Sequence, residues 1–299
     1  MTAGASQQPA DDSTSLWIRA APVIFVLIWS TGFIVAKYGL PYASPLWFLV
    51  LRFVGVIAVL VLALPFVAVE WPDRRSTLHL ALAGILLQFG YLGGVWVAIA
   101  LGMPAGLAAL IVGLQPILTA FAAPAVGERV TSRQWIGFAL GFCGVVLVVA
   151  NKIALIALPI ASVALAVMAL FSITVGTLYQ KRFCPRFDLR AGSLIQFVSS
   201  LAIALPLAFV FEPWDVRFTP QFVGALLWSV LALSIGGMAL LFPIIRRGEA
   251  TRVTSLFYLT PPVTALMAWL VFNERFSPLA MLGMACTVVG VALVVVRRR

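Results

Sequence analysis

Apolar residues run along this chain in long stretches that carry almost no charge, separated by short segments where the charges collect. Each stretch is about 20 residues, the length at which an α-helix covers ~30 Å of hydrocarbon. Ten such runs are predicted to be helices, at 17–38, 45–69, 78–101, 104–126, 132–151, 155–180, 189–211, 219–245, 250–272 and 277–296. The connections are short, which suits antiparallel neighbours in a bundle. The expected fold is an all-α polytopic membrane protein. Residues 1–16 are polar at their start and predict a disordered tail. They do not form a signal peptide, because Asp11 and Asp12 stand where basic residues belong and the first apolar run is as long as a full span.

The runs repeat. Ala105 to Ala120 (A-G-L-A-A-L-I-V-G-L-Q-P-I-L-T-A) aligns with Ala250 to Ala265 (A-T-R-V-T-S-L-F-Y-L-T-P-P-V-T-A). One residue is then inserted, and Glu128-Arg129-Val130-Thr131 falls on Glu274-Arg275-Phe276-Ser277, Gly137 on Gly283, and Gly144-Val145 on Gly290-Val291. Two five-helix repeats follow, at 17–151 and 152–299. Five is odd, so the second repeat crosses the membrane upside down relative to the first. Gly127-Glu128-Arg129 is then expected inside and Asn273-Glu274-Arg275 outside. Inverted repeats place a two-fold axis in the membrane plane and a site near its middle, and they predict a transporter working by alternating access.

Charge fixes the orientation. With the N-terminus inside, fifteen Lys and Arg lie in inner segments, against Lys152, Arg217 and Arg275 outside, giving N-in and C-in. The composition agrees: 63% hydrophobic and 10% charged residues, where soluble domains have about 45–50% and 25%. The net charge of +10 resides at span ends, where topology accounts for it, so nucleic acid is not an expected partner. Cys143, Cys184 and Cys286 have no metal-like spacing and read as inert thiols.

Helix-weakening residues fall in matching places. The third run holds Gly90, Gly93 and Gly94, and the eighth holds Gly236 and Gly237. The fourth holds Pro116, and the ninth holds Pro261 and Pro262. Proline removes a backbone hydrogen bond and kinks its helix. Freed backbone is tolerated in a bilayer only under protein or beside a water-filled cavity. The matched set predicts hinges and gates beside a cavity. Gly137, Gly141, Gly144, Gly283 and Gly290 instead predict close packing of the fifth and tenth helices.

All ten carboxylates lie at or beyond the ends of these runs, and the single histidine, His79, sits at the end of one. No catalytic or metal-binding constellation and no phosphate loop is present, so neither an enzyme nor a cofactor or metal is expected. Without a carboxylate inside a span there is no proton relay, and the expectation is an uncoupled facilitator or exchanger. Lys37 and Arg52 are the charges left within runs. Either one meets a carboxylate or phosphate of a substrate, or they snorkel or pair with backbone. The expected cavity lining is Trp29, Ser30, Gln88, Tyr91, Trp96, Gln115, Phe171, Ser172, Tyr258 and Thr260. Gln115 and Thr260 are repeat equivalents, each preceding a proline.

Trp29-Ser30-Thr31-Gly32-Phe33, Arg52, Gln115-Pro116 and the paired Gly127-Glu128-Arg129 and Asn273-Glu274-Arg275 resemble the EamA-type members of the drug/metabolite transporter superfamily, over about residues 20–296. The resemblance implies ten helices in two inverted repeats and a central cavity that exports small metabolites across a bacterial inner membrane. It also points towards exporters of amino acids, aromatic ones included. The lack of an intramembrane carboxylate departs from family members thought to be proton-driven. Export of neutral or aromatic amino acids is therefore the leading expectation. A carrier of drugs, nucleotide-linked sugars or other anions, or a receptor or subunit that transports nothing, stands as the alternative. The partners expected are a small-molecule substrate and membrane lipid, with the chain a monomer or weak dimer.

Overall fold

The computed structural model describes residues 12–121, 131–156, 158–237, 240 and 259–295. Among these there is no β-strand. The helices are α1 (Asp12–Gly39), α2 (Pro45–Ala63), α3 (Arg74–Gly84), α4 (Tyr91–Ala100), α5 (Ala105–Val112), α6 (Gln115–Phe121), α7 (Ser132–Ile156), α8 (Ile160–Phe183), α9 (Leu189–Phe211), α10 (Pro220–Leu227), α11 (Thr260–Phe272) and α12 (Pro278–Val295). Two π-helical segments, Ile85–Gly90 and Trp228–Gly236, continue α3 into α4 and extend α10. Pro45–Phe66, Arg74–Ala100, Ile160–Phe183 and Leu189–Phe211 are long and apolar enough to cross a membrane. Shorter apolar helices lie at Val23–Gly39, Ala105–Thr119, Ser132–Val148, Pro220–Gly236, Thr260–Phe272 and Pro278–Leu293.

Local chemistry sets the ends. Asp73 accepts from Ser76 N at 3.0 Å and starts α3, and Asp188 accepts from Arg190 N at 2.8 Å and starts α9. Thr219 caps α10 by accepting from Phe222 N at 3.2 Å, with Pro220 at the first helical position. Gly102, at φ +95°, turns the chain between α4 and α5, where a side chain would be strained. Three departures from the sequence reading have a physical reason or alter the helix order. α1 begins at Asp12, so the last part of the expected tail is helical; an acidic residue suits the positive end of a helix. α7 runs on to Ile156, where the sixth span was expected to have begun. The fourth run is two helices: Pro116 has no N–H for the carbonyl of Val112, where α5 stops.

The main contacts of the bundle are α2 on α9, α4 on α8, α3 on α9, α5 on α11, and α7 on α12. The last is the closest, and small residues make it possible. A Cβ built on Gly144 would lie 2.5 Å from the Gly283 carbonyl oxygen, and one on Gly290 would lie 2.6 Å from that of Gly137. These glycines let the backbones touch, as their spacing predicted.

Candidate functional site

The two π segments occupy equivalent places. The register that lays Ala105 on Ala250 lays residues 85–90 on 230–235, inside the second segment. A π turn widens the helix and loosens its hydrogen-bond ladder, and such turns recur at functional sites. Each is held by the opposite half of the chain. The Ser172 hydroxyl of α8 donates to Leu86 O at 2.8 Å, and Ser200 of α9 donates to Gly84 O at 3.0 Å. Across the molecule, Trp228 Nε1 donates to Thr31 Oγ1 of α1 at 2.9 Å, and Arg52 of α2 donates from Nε and Nη2 to Ser234 Oγ at 3.3 and 3.1 Å. A Cβ at position 90 would overlap Ser172 Oγ, so a side chain there would displace that hydroxyl from Leu86 O.

The expected lining residues do not all share one environment. Ser30 and Thr260 are buried with hydroxyls that make no hydrogen bond among the described residues, and Thr264, one turn beyond Thr260, donates to Ser30 O at 3.4 Å. Gln115 donates to Thr177 of α8 at 3.1 Å. Gln88 is half-buried within the first π segment, Tyr91 is buried just after it, and Trp29 is half-buried against Phe25. Trp96 is 1% exposed and packs on Phe48 at 4.3 Å, so it belongs to the core rather than to a wall. Phe171 is 51% exposed and lies in one stripe with Met168 and Val175; the helical period carries it away from the buried Ala169, Leu170 and Ile173. Tyr258 lies outside the described residues.

The hinge candidates also divide. Pro116 marks the α5–α6 break, whereas Pro261 and Pro262 sit in the first turn of α11. Gly94 allows α8 to approach, since a Cβ there would lie 2.8 Å from Leu165 O. Among the described residues Gly93 and Gly237 face roomier surroundings, with nearest atoms at 3.7 and 4.0 Å, whereas a Cβ on Gly236 would sit tightly, 3.2 Å from Leu231 O. Two open grooves, of about 460 and 430 Å³, lie beside Trp228 and beside Met281, and of the expected site residues they include only Pro262.

The charges within the runs separate cleanly. Lys37 Nζ donates to Glu274 Oε1 at 2.6 Å and stands 4.8 Å from the Phe272 ring centroid. The same oxygen accepts Ala105 N at 3.2 Å, so a carboxylate meets the positive end of α5. Asn273 makes this possible: its left-handed conformation (φ 53°) ends α11 and turns Glu274 inward. The sequence put Glu274 beyond a span end, yet its side chain is only 8% exposed. Glu212 acts alike at α2, accepting Leu46 N at 2.9 Å and Trp47 N at 3.3 Å. Burial pushes its carboxyl above the ordinary carboxylate range, against the pull of Ser44 and those two amides. His79 is paired with the Tyr179 hydroxyl at 2.6 Å.

The sequence reading missed Ser234, Thr264, Thr177 and Ser200, because single hydroxyls in apolar helices carry no periodic signal. Glu274 had one, its place in a repeated motif.

Comparison with known proteins agrees with this architecture. The model of the EamA-like transporter family matches twice, over residues 16–150 and 160–296. A probable amino-acid metabolite efflux pump of Escherichia coli (strain K12) is 27% identical, over 90% of this chain and 91% of its own. The uncharacterized inner membrane transporter YedA of the same organism is 26% identical, over 90% and 87%. A protein of known crystal structure, 20% identical, superposes over 95% of this chain and 98% of its own with a TM-score of 0.62, and shares the fold. The chain belongs to the EamA-like transporter family and is a membrane transporter.

Proposed function

We propose that the protein exports small amphipathic metabolites, neutral or aromatic amino acids, from a bacterial cytoplasm by alternating access of two inverted five-helix repeats. The protein is read as a multi-pass inner membrane protein. One observation carries the reading: the first and second helices of the opposite half bond at each π segment, Ser172 within the first and Ser200 at Gly84 just before it, Thr31 and Arg52 within the second. The fourth-run residue Gln115 meets the sixth run at Thr177, and the ninth-run residue Thr264 meets the first at Ser30. The helices that these bonds join correspond in the two halves, which supports a two-fold relation of the kind alternating access needs. The double family match supports the repeat, and the efflux-pump relative supports the substrate class.

In this reading the substrate passes between Ser30, Gln88, Gln115, Ser172 and Thr260, and the π segments with Pro116 supply the bending. The Lys37–Glu274–Ala105 cluster closes the outer side by tying α1, α5 and the α11–α12 turn together. Transport runs down the substrate gradient without a coupled ion. The test is efflux from proteoliposomes loaded with radiolabelled phenylalanine, leucine and threonine. Saturable efflux of any of them is expected. Saturable flux of nucleotide-linked sugars or cationic drugs with none of amino acids overturns the substrate class, and no flux of any solute overturns transport.

A further inference from the structure

Resting on that reading, we infer that Arg52, with Ser234 and Tyr91, is the seat for a single carboxylate of the transported solute. Arg52 lies in the second turn of α2 and is 6% exposed, inside a span. A guanidinium inside a span is costly unless an acceptor meets it. Among the described residues no carboxylate does: Glu274 pairs with Lys37, and Asp215 lies by Arg217. Of the five donors of the guanidinium, two reach one neutral oxygen, Ser234 Oγ, at 3.3 and 3.1 Å. Ser234 is held by donating to Ser229 O at 3.0 Å, so it aims the guanidinium and leaves the Nη1 edge for another acceptor.

A second polar group is left over on the helix packed against α2. Tyr91 is buried at the start of α4, and its hydroxyl makes no hydrogen bond among the described residues. An uncommitted phenol and the uncommitted edge of a buried guanidinium are together a donor set for a planar carboxylate. The charge fits a monoanion. The other cation within a run, Lys37, is already neutralised by Glu274, so a dianionic phosphate would keep an unpaired charge. The seat also spans the two irregular segments. Ser234 lies within the second π segment, and Tyr91 is the first residue after the first one. A carboxylate bound there touches both elements that must move.

The test is ligand-induced thermal stabilisation of the purified full chain in detergent, with phenylalanine, leucine, threonine and benzoate against their methyl esters. In the unmodified protein the acids should raise Tm and the esters should not. Arg52→Gln should weaken the acid effect at least tenfold in midpoint concentration, with Arg52→Lys retaining part of it. Tyr91→Phe should weaken it several-fold and keep the acid-over-ester preference. Stabilisation by esters equal to that by acids, an undiminished acid effect in Arg52→Gln, or stabilisation by a phosphate monoester with none by any acid overturns the seat. If Arg52→Gln fails to fold, the acid–ester comparison and Tyr91→Phe decide. Proteoliposome flux separates the two readings. Acid-specific binding without flux leaves the seat and sinks transport, whereas equal flux of acids and esters sinks the seat and leaves transport.

Discussion

Two acidic residues on the expected outer side do the same work from different loops. Glu274 meets the first amide of α5 and Glu212 the first amides of α2, so each helix start is capped by a carboxylate distant in sequence. For Glu274 the added Lys37 makes an ion pair that is partly open to solvent, since Lys37 is 34% exposed. Lys37→Ala and Glu274→Ala should each therefore cost about 1–2 kcal/mol, less than a fully buried pair. The double variant should cost less than the two together by about 1 kcal/mol, read from thermal denaturation in detergent as a double-mutant cycle. Additive losses would show that the pair does not act as a unit. Glu212 gives a pH prediction. Its folded carboxyl is pushed up by burial, so at pH values between its unfolded and folded titrations the folded chain holds a proton that the unfolded chain has lost. Stability from this group is thus greatest in acid and falls as pH rises through that window. Glu212→Gln, which keeps an acceptor for Leu46 and Trp47, should flatten the decline in a Tm series from acid to neutral pH.

At the scale of elements, glycines that look alike in sequence do different things. Gly144 on α7 faces the backbone of α12 at Gly283, and any side chain must push two helices apart. Gly144→Val should cost about 3 kcal/mol or more, as overpacking against backbone has nowhere to relax. Gly237→Ala should leave stability unchanged, because among the described residues its Cβ would find the nearest atom at 4.0 Å. Yields and Tm of the two purified variants check this. Much of this level was legible in the chain. The small-residue spacing of the fifth and tenth runs announced the α7–α12 contact, and Pro116 announced the α5–α6 break. The prolines of the ninth run announced a helix irregularity but not its kind, since at the first turn of α11 a proline starts a helix rather than bending it. The π segments were legible only as glycine content. No residue pattern encodes an i→i+5 turn; it arises from what packs against it. Phe171 and Trp96 show the other gap. Aromatic identity says nothing about which way a helix is rotated, and only its neighbours carry one residue outward and the other into the core.

For the whole molecule, the proposed inverted repeat and the proposed lack of ion coupling are linked through where the carboxylates would end up. Pseudo-symmetry would put the two Glu-Arg motifs on opposite sides of the membrane. Glu128-Arg129 lies outside the described residues; in the other copy Glu274 is bonded to Lys37 and Ala105. Arg129→Cys and Arg275→Cys, each with Cys143, Cys184 and Cys286 changed to Ser, should therefore react oppositely with an impermeant thiol reagent. Arg275→Cys should label in intact cells and Arg129→Cys only after permeabilisation. Labelling on one common side would remove the inversion. Given that geometry, a proton carried across would need a carboxylate free to exchange it from each side in turn. Among the described residues the buried or half-buried acids are otherwise engaged: Glu274 through Oε1 in its ion pair, Glu212 on the α2 amides, and Asp188 on the α9 amides. His79, at the far end of the third run, is tied to Tyr179. Net flux should then follow the solute gradient alone. Efflux from proteoliposomes should keep its rate when an ionophore collapses an imposed pH gradient, and should show no uphill accumulation when the gradient is restored. Complete arrest on collapse would mean that the Lys37–Glu274 pair opens and exchanges a proton during the cycle, so that the outer closure is itself the coupling site.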